Sequence, residues 1–143
     1  MKDFVIVTSL FNLSDVRRGD GRGWEDYLEW FGKTLKVKCP FIIFTEEETA
    51  EFIREKRGDL PTHIIPTKLE DVPLYGLRER IQDVLDSDDY KENMLDVDRV
   101  ECQDSMYSVI QYSKFKWLKE AARVNPFESR YYFWLDAGAS RFL

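Results

Sequence analysis

Four short apolar runs, separated by stretches of helical pattern, constrain the fold of this chain more than any other feature. They are rich in β-branched and aromatic residues, as buried strands are, and they cover residues 4–8, Phe41–Thr45, Thr62–Pro66 and residues 131–135. Strands that alternate with helices usually form a mostly parallel sheet with right-handed crossovers. The sequence therefore predicts an α/β fold in which helices flank a mostly parallel sheet.

Helical signals fill the first two gaps between these runs. Residues 24–37 carry apolar side chains at helical spacing. The acidic cluster that begins at Glu46 is well placed to start a second helix, which should end near Gly58. The positions of the first helix that we expect to face the core are Tyr27, Leu28, Phe31 and Leu35.

The long third gap is predicted to hold two helices. One is expected at residues 74–85, and the one with the clearest pattern at Ser105–Val124, where Asn125 and Pro126 end it. The polar residues 86–104 between them are predicted to form a loop with short helical turns. The positions expected to face the core are Leu77, Ile81, Val84, Leu85, Tyr107, Ile110, Phe115, Leu118 and Ala122.

The composition is typical of a soluble globular protein and limits its partners. The chain has 143 residues, of which 34% are charged and 43% hydrophobic, and we expect one domain over residues 1–143. A net charge of −6 argues against nucleic-acid binding, which usually needs a basic face. No run is apolar enough for a signal peptide or a membrane span, so we expect a cytoplasmic protein. Cys39 and Cys102 lack partners at metal-binding spacing, and we expect reduced, structural thiols.

The last apolar run ends on an acidic residue that is the first candidate for chemistry. Asp136 follows residues 131–135 directly, and Ala137 and Gly138 come next. Ligands of α/β sheets gather at the carboxyl ends of strands, where a carboxylate can bind a divalent metal or a ribose hydroxyl. The same carboxylate could instead cap a turn, and the residue types leave both interpretations open. Gly138 would let a ligand approach the backbone closely.

The loop after the first run is rich in arginine and glycine. These residues are Arg17, Arg18, Gly19, Gly21, Arg22 and Gly23. Backbone amides and guanidinium groups in such a loop can hold phosphate. The spacing matches neither the Walker pattern nor Gly-x-Gly-x-x-Gly. A nucleotide-facing loop with Arg17 as a phosphate ligand and a solvated loop therefore both stay open.

Other polar residues carry weaker signals. Two acidic pairs with the Asp-x-Asp pattern, at positions 86 and 88 and at positions 96 and 98, lie in a polar connection and are expected to be solvated. Arg78 and Lys114 lie on predicted helices, where long cations usually form a solvated face. His63 is the only histidine and is expected at a strand edge, which argues against histidine-dependent nucleophilic chemistry.

Several segments, taken in chain order, form a recognisable set. They are VTSLFN at residues 7–12 with the loop that follows, PFIIFT at residues 40–45, residues 107–121 with Ser113 and Lys114, and NPF at residues 125–127 leading to FWLDAG at residues 133–138. Together they resemble the HtrL/YibB family, whose bacterial and viral members look like glycosyltransferases of the GT-A type. Because the segments span most of the chain, this resemblance is more specific than any single motif.

The resemblance implies a Rossmann-like sheet that binds a nucleotide-diphosphate sugar. It also implies a divalent cation, commonly Mn²⁺ (or Mg²⁺), at an acidic motif that ends the fourth strand. Asp136-Ala137-Gly138 stands there in place of the usual Asp-x-Asp, so one carboxylate would bind the metal directly or through water. By position in such a fold, Thr8 and Ser9 would lie near the base or ribose, and Arg78 or Lys114 would meet the diphosphate.

On this resemblance we expect a glycosyltransferase that transfers the sugar to an unknown glycan or protein acceptor. GT-A domains continue for roughly another hundred residues, which supply the acceptor site. We therefore expect the donor-binding part of a GT-A fold, as a truncated gene product, as a fragment, or as a half that a partner completes. The alternative is a catalytically inactive module that binds a nucleotide sugar or another protein.

Overall fold

The structure is a computed structural model that describes residues 3–15 and 22–142. Its strands are β1 (Phe4–Leu10), β2 (Phe41–Thr45), β3 (Thr62–Pro66) and β4 (Tyr131–Trp134), and all pair in parallel. Its helices are α1 (Trp24–Thr34), α2 (Glu47–Arg57), α3 (Arg78–Asp86), α4 (Asp88–Glu92), α5 (Val100–Gln103) and α6 (Ser105–Val124). Short 3-10 turns lie at Leu69–Asp71, Tyr75–Leu77 and Ala139–Phe142. The predicted α/β fold with a Rossmann-like parallel sheet is confirmed.

The strand order β3-β2-β1-β4 reverses at β1. The chain first adds β2 and β3 on one side of β1 and then crosses back to add β4 on the other side. In open α/β sheets, ligands bind in the crevice outside the carboxyl ends of the strands at this point of reversal. The fold therefore identifies the ends of β1 and β4 as the place for a site.

Helices cover the two faces of the sheet through separate apolar clusters, because successive side chains of a strand point to opposite faces. On one face, α6 packs on Val5 and Val7, and the Trp117 ring centroid lies 5.6, 5.5 and 6.0 Å from those of Phe11, Phe44 and Trp134. The cluster on the other face includes Phe31, Leu35, Phe41, Ile43 and Ile53. Each fully buried apolar side chain contributes about 1.5–3 kcal/mol, so these clusters hold the helices on the sheet.

Polar caps fix where α1 and α6 begin. The Asp26 carboxylate accepts a hydrogen bond from the Gly23 N–H at 2.8 Å, just before α1. The Asp104 carboxylate accepts one from the Met106 N–H, also at 2.8 Å, at the start of α6. Such caps satisfy donors that the first turn of a helix leaves without intrahelical partners. They define the first turns of α1 and α6.

The inward face of α6 differs from the face that its apolar residues predict. Phe115 is 66% exposed and Ala122 is exposed, so both predictions are wrong, whereas Tyr107, Ile110 and Leu118 are partly buried. The buried positions recur every four residues, at Val109, Ser113, Trp117 and Ala121. Ser113 can lie in this row because its Oγ accepts a hydrogen bond from the Leu74 N–H at 3.2 Å. Because this row contains a polar residue and an aromatic residue lies outside it, the apolar residues alone predict the wrong buried face.

The other helices follow the predictions more closely. In α1, all four core-facing positions are buried or partly buried. Leu85 is buried and Ile81 partly buried, whereas Val84 is exposed, and so is Leu77 in the 3-10 turn before α3. The apolar face of α3 is therefore narrower than predicted. The polar residues 86–104 contain the short helices α4 and α5, as expected.

A buried arginine joins the loops that precede β2 and β3. Arg57, the last residue of α2, is 2% exposed. Its guanidinium donates five hydrogen bonds of 2.7–2.9 Å, to the carbonyl oxygens of Leu35, Val37, Cys39 and Pro61 and to the hydroxyl of Thr62. It also lies 4.4 Å from the ring centroid of Phe41. Burial lowers the pKa of Arg57, and the carbonyl groups compensate for the lost hydration.

Three smaller predictions concern single features. None of the helices in the described ranges is long and apolar enough to cross a membrane. Cys39 is buried and Cys102 is partly buried, and neither forms a disulfide within the described ranges, in agreement with reduced thiols. His63 lies on β3, at an edge of the described sheet, also as expected.

Candidate functional site

A cavity of about 430 Å³ opens at the carboxyl ends of β1 and β4. Its walls come from the residues after β1, the start of α1, the first half of α6 and the residues after β4. This is the crevice at which the strand order reverses, and small-molecule sites typically have volumes of about 300–1,000 Å³. Both the position and the size are those of a ligand site.

Aromatic side chains form much of the walls. They are Phe11, Trp24, Tyr27, Tyr107, Trp134 and Phe142. Flat rings of this kind can stack on a planar base or on the apolar face of a sugar. The walls therefore suit a ligand that has a planar or ring-shaped part.

Asp136 lies at the edge of the cavity, exposed, where the chain leaves β4. Its carboxylate oxygen Oδ1 accepts a hydrogen bond from the indole N–H of Trp134 at 2.8 Å. Trp134 in turn stacks on Trp117 in the core, with 6.0 Å between ring centroids. The turn after Asp136 is closed by its main-chain carbonyl, which accepts from the Ala139 N–H at 3.0 Å. The core thus orients the carboxylate through an aromatic side chain, which favours a ligand-binding role over a turn cap.

Two arginines line the cavity together with Asp136. Arg22 immediately precedes the cap of α1, and its Nη2 lies 3.9 Å from Oε2 of Glu101 on α5. Arg141 belongs to the turn Ala139–Phe142, and its guanidinium carbon lies 4.5 Å from the ring centroid of Phe142. The described walls therefore carry two guanidinium groups and one carboxylate, which favours an anionic ligand.

The segment after β4 is held against α1. A Cβ placed on Gly138 would lie 3.4 Å from Cε1 of Tyr27 and 3.6 Å from Cε3 of Trp30, both ordinary contacts. The hydroxyls of Thr34 and Ser140 share a buried hydrogen bond of 2.5 Å. These contacts fix the backbone on which Asp136 and Arg141 are placed.

The structure brings three of the predicted site residues together. Ser9, Asp136 and Gly138 all line the cavity. Thr8 does not line it. Thr8 lies inside β1, two residues before the strand ends at Leu10, and is completely buried. The Thr8 Oγ1 has no hydrogen-bond partner among the described residues.

The other predicted cations lie elsewhere. The guanidinium of Arg78 stacks 4.1 Å from the ring centroid of Tyr75 at the start of α3. Lys114 projects from α6 over Phe115, with its Nζ 5.6 Å from the ring centroid. The residues that α6 presents to the cavity are Tyr107, Ile110 and Gln111. Arg17 lies outside the described residues.

The residues of the cavity do not form a ready-made metal site. In residues 3–15 and 22–142, no group of three His, Cys, Asp or Glu side chains is arranged to hold a metal ion. Asp136 is the one carboxylate on the described walls, and one of its oxygens is already bonded to Trp134. The acidic pairs at positions 86 and 88 and at positions 96 and 98 are exposed, as expected. Because Mg²⁺ requires about six oxygen ligands, almost all of them would have to come from water or from a ligand.

Comparison with known protein families assigns the chain to one of them. The model of a family described as "Bacterial protein of unknown function (HtrL_YibB)" matches residues 2–142. The chain belongs to the HtrL_YibB family. Neither a curated protein nor a solved structure matches it. The family assignment that the sequence segments predict is therefore confirmed over nearly the whole chain.

Several cavity residues of this HtrL_YibB protein carry little signal in the sequence. The apolar pattern assigns Tyr27 to the core face of α1, where it does pack, but it gives no sign that Tyr27 also lines the cavity. Arg141 follows Asp136 by five residues and has no recognisable motif around it. Arg22 is one of several loop arginines, and only its place beside the start of a helix distinguishes it.

Proposed function

We propose that this chain binds a nucleotide-diphosphate sugar in the cavity and transfers the sugar, as a glycosyltransferase does. One observation carries the proposal: aromatic walls, two arginines and Asp136 lie together in a single cavity at the ends of β1 and β4. A nucleotide base needs flat walls, a diphosphate needs positive charge, and ribose or sugar hydroxyls need hydrogen-bond acceptors. The resemblance of the family to GT-A enzymes supports the same ligand class.

The lining residues divide these tasks. The rings of Trp24 and Tyr107 would stack with the base or the sugar. Ser9, near the end of β1, would bond the base or ribose, and Asp136 would accept a hydrogen bond from a hydroxyl. Roles for Thr8, Arg17, Arg78 and Lys114 stay predictions of the sequence, as does a close backbone approach of the ligand at Gly138.

Sugar transfer places specific demands on the site. The bond between the anomeric carbon and the diphosphate oxygen breaks, and a bond from that carbon to an acceptor oxygen forms. Negative charge grows on the departing diphosphate, so groups that stabilise this charge accelerate transfer. Arg22 and Arg141 are the described lining residues with the required charge. A divalent cation, Mn²⁺ or Mg²⁺, at Asp136 and a glycan or protein acceptor stay predictions of the resemblance.

Isothermal titration tests the ligand class. The purified chain is titrated with UDP-, GDP-, ADP- and dTDP-sugars in buffer with Mn²⁺. We expect one of them to bind, and Asp136→Ala to weaken that binding about tenfold, the effect of one charge-assisted hydrogen bond. Asp98→Ala removes an exposed carboxylate that does not line the cavity and is the matched control, which should leave the affinity unchanged. An absence of heat with every nucleotide sugar would reject the proposal.

A binding module without catalysis is a second candidate, and one observation favours it. Proton transfer from an acceptor needs a positioned base, and Asp136 is the single carboxylate on the described walls, which include no histidine. The nucleotide sugar that binds is incubated with the protein, and release of nucleoside diphosphate is followed. Turnover above the rate of Asp136→Ala supports an enzyme. Binding without any release supports the module.

A further inference from the structure

We infer that Arg22 and Arg141 form the diphosphate subsite of the cavity, and that nucleotide binding therefore does not depend on a divalent cation. The identity of the ligand rests on the proposed function, whereas the anion chemistry of the two arginines can be tested separately. The inference departs from the resemblance, which implies a metal ion at Asp136.

The charge distribution supports an anion site. The whole chain carries a net charge of −6, so its average surface repels a diphosphate. The described cavity walls have the opposite balance, with Arg22 and Arg141 against Asp136. An acidic protein with two arginines at one crevice has a local attraction for anions there.

Arg22 keeps donors that a ligand can use. Its Nη2 lies 3.9 Å from Oε2 of Glu101, which is beyond hydrogen-bond range, and that oxygen has no hydrogen-bond partner among the described residues. The contact is therefore an ion pair without a hydrogen bond. A phosphate oxygen could bond the Arg22 guanidinium directly and would compete with Glu101 for it.

Arg141 comes from a different element of the cavity wall. It follows β4 in the turn Ala139–Phe142, whereas Arg22 lies before α1. Its guanidinium carbon lies 4.5 Å from the centroid of the Phe142 ring, and such a cation–π contact does not use the N–H groups as hydrogen-bond donors. Two guanidinium groups on different elements can bond different oxygens of one diphosphate.

The cavity provides fewer ligands for a metal ion than it provides hydrogen-bond donors for a diphosphate. Asp136 is one carboxylate, its Oδ1 is bonded to Trp134, and no second acidic side chain lines the described cavity. A divalent ion would keep mostly water ligands here. A guanidinium has five donors in a fixed fork that matches phosphate oxygens and needs no metal between them.

The experiment measures binding with and without metal. Inorganic pyrophosphate, UDP and GDP are titrated into the full chain, once with Mn²⁺ and once in excess EDTA. We expect pyrophosphate and at least one nucleotide to bind in EDTA, with affinities within about threefold of those in Mn²⁺. Arg22→Ala and Arg141→Ala should each weaken binding in EDTA about tenfold, the effect of a lost charge-assisted hydrogen bond.

A matched control excludes a general charge effect. Arg123→Ala removes the same charge from the far end of α6, where Arg123 pairs with Glu120 at 2.6 Å. This variant should bind as the unmodified chain does. Unchanged circular dichroism and melting temperature in all three arginine variants would show that the lost affinity does not come from unfolding.

A variant that is expected to raise the affinity tests whether Arg22 itself binds the anion. Glu101→Gln removes the charge that competes for Arg22. We expect it to raise the affinity for pyrophosphate about twofold to fivefold, since exposed and half-exposed ion pairs contribute little energy. In the double variant with Arg22→Ala, this gain should disappear.

The outcomes are distinguishable. Binding that vanishes in EDTA, or that survives both arginine substitutions, overturns the inference and leaves the proposed function standing. Pyrophosphate binding that requires the arginines, without binding of any nucleotide or nucleotide sugar, supports the subsite and rejects the proposed function. No binding of pyrophosphate or of any nucleotide rejects both.

Discussion

The two ends of the parallel sheet use arginine in opposite ways. At the amino ends of β2 and β3, Arg57 is buried and donates five hydrogen bonds to groups of the protein itself. At the carboxyl ends of β1 and β4, Arg22 has an ion pair at 3.9 Å and Arg141 stacks on a ring. One guanidinium is used completely by the fold, and the other two keep donors for a ligand.

Other polar groups at the carboxyl end are also incompletely satisfied. The Thr8 Oγ1 and the Glu101 Oε2 lack hydrogen-bond partners among the described residues. Burial, followed by the neighbouring charge of Glu48, raises the pKa of Glu46 at the end of β2. Polar groups held at an energetic cost are typical of functional sites, whereas satisfied ones stabilise the fold. The arginines therefore differ between the two ends of the sheet: Arg57 stabilises the fold, whereas Arg22 and Arg141 line the cavity that we propose to bind a ligand.

The largest effect is expected from Arg57→Ala. The substitution removes one hydrogen-bond donor from each of four carbonyl groups, of which Val37 and Pro61 keep a backbone donor, and we expect the free energy of unfolding to fall by about 3 kcal/mol or more. Urea denaturation measures the change. Arg54→Ala, which removes an exposed arginine of the same helix, is the control and should change stability by less than about 0.5 kcal/mol. Equal effects of the two substitutions would contradict the structural role of Arg57.

Arg57→Lys should have an intermediate effect. Lysine keeps the charge but replaces a planar fork by a single ammonium group, which cannot reach all the acceptors at once. We expect a loss of about 1–2 kcal/mol, since some of the hydrogen bonds persist. The same urea series measures it. A lysine variant as stable as the unmodified chain would mean that charge, and not the geometry of the fork, fixes these loops.

Glu46→Gln should stabilise the protein slightly at neutral pH. A folded-state pKa raised above 4.5 means that stability is fully present below that value and is lost as the pH rises through the raised pKa. The amide cannot ionise, so we expect the variant to gain less than about 1 kcal/mol at neutral pH and to lose this part of the pH dependence. Thermal unfolding from pH 4 to pH 8 provides the measurement. Glu47→Gln, at an exposed neighbour, should give no gain.

The smallest effect on stability is expected from Arg141→Ala. Its side chain is exposed and stacks on an exposed ring, so we expect the free energy of unfolding to change by less than about 0.5 kcal/mol. The binding experiments above should nevertheless detect this variant clearly. If Arg141→Ala instead destabilised the fold as much as Arg57→Lys does, the contrast between the two ends of the sheet would fail.

Much of the fold follows from local pattern. The strands and the clear helix Ser105–Val124 are predicted within a few residues, because apolar runs and caps are encoded by neighbours in sequence. The face of α6 is not, because Ser113 is buried through a hydrogen bond to Leu74, which lies 39 positions earlier in the chain. Side chains on such a helix can only be assigned when the element packed against them is known.

The candidate site was likewise predictable from the sequence only in part. The sequence by itself determined the α/β alternation, the family and the placing of Asp136 directly after the last strand. Only the tertiary structure decided that Arg22 and Arg141 reach the same cavity as Asp136, while Arg78 and Lys114 do not. The physical reason is that a cavity at the reversal of strand order joins residues far apart in the chain. Their meeting depends on how the sheet orders its strands and how α1 and α6 dock on it, which local periodicity does not encode.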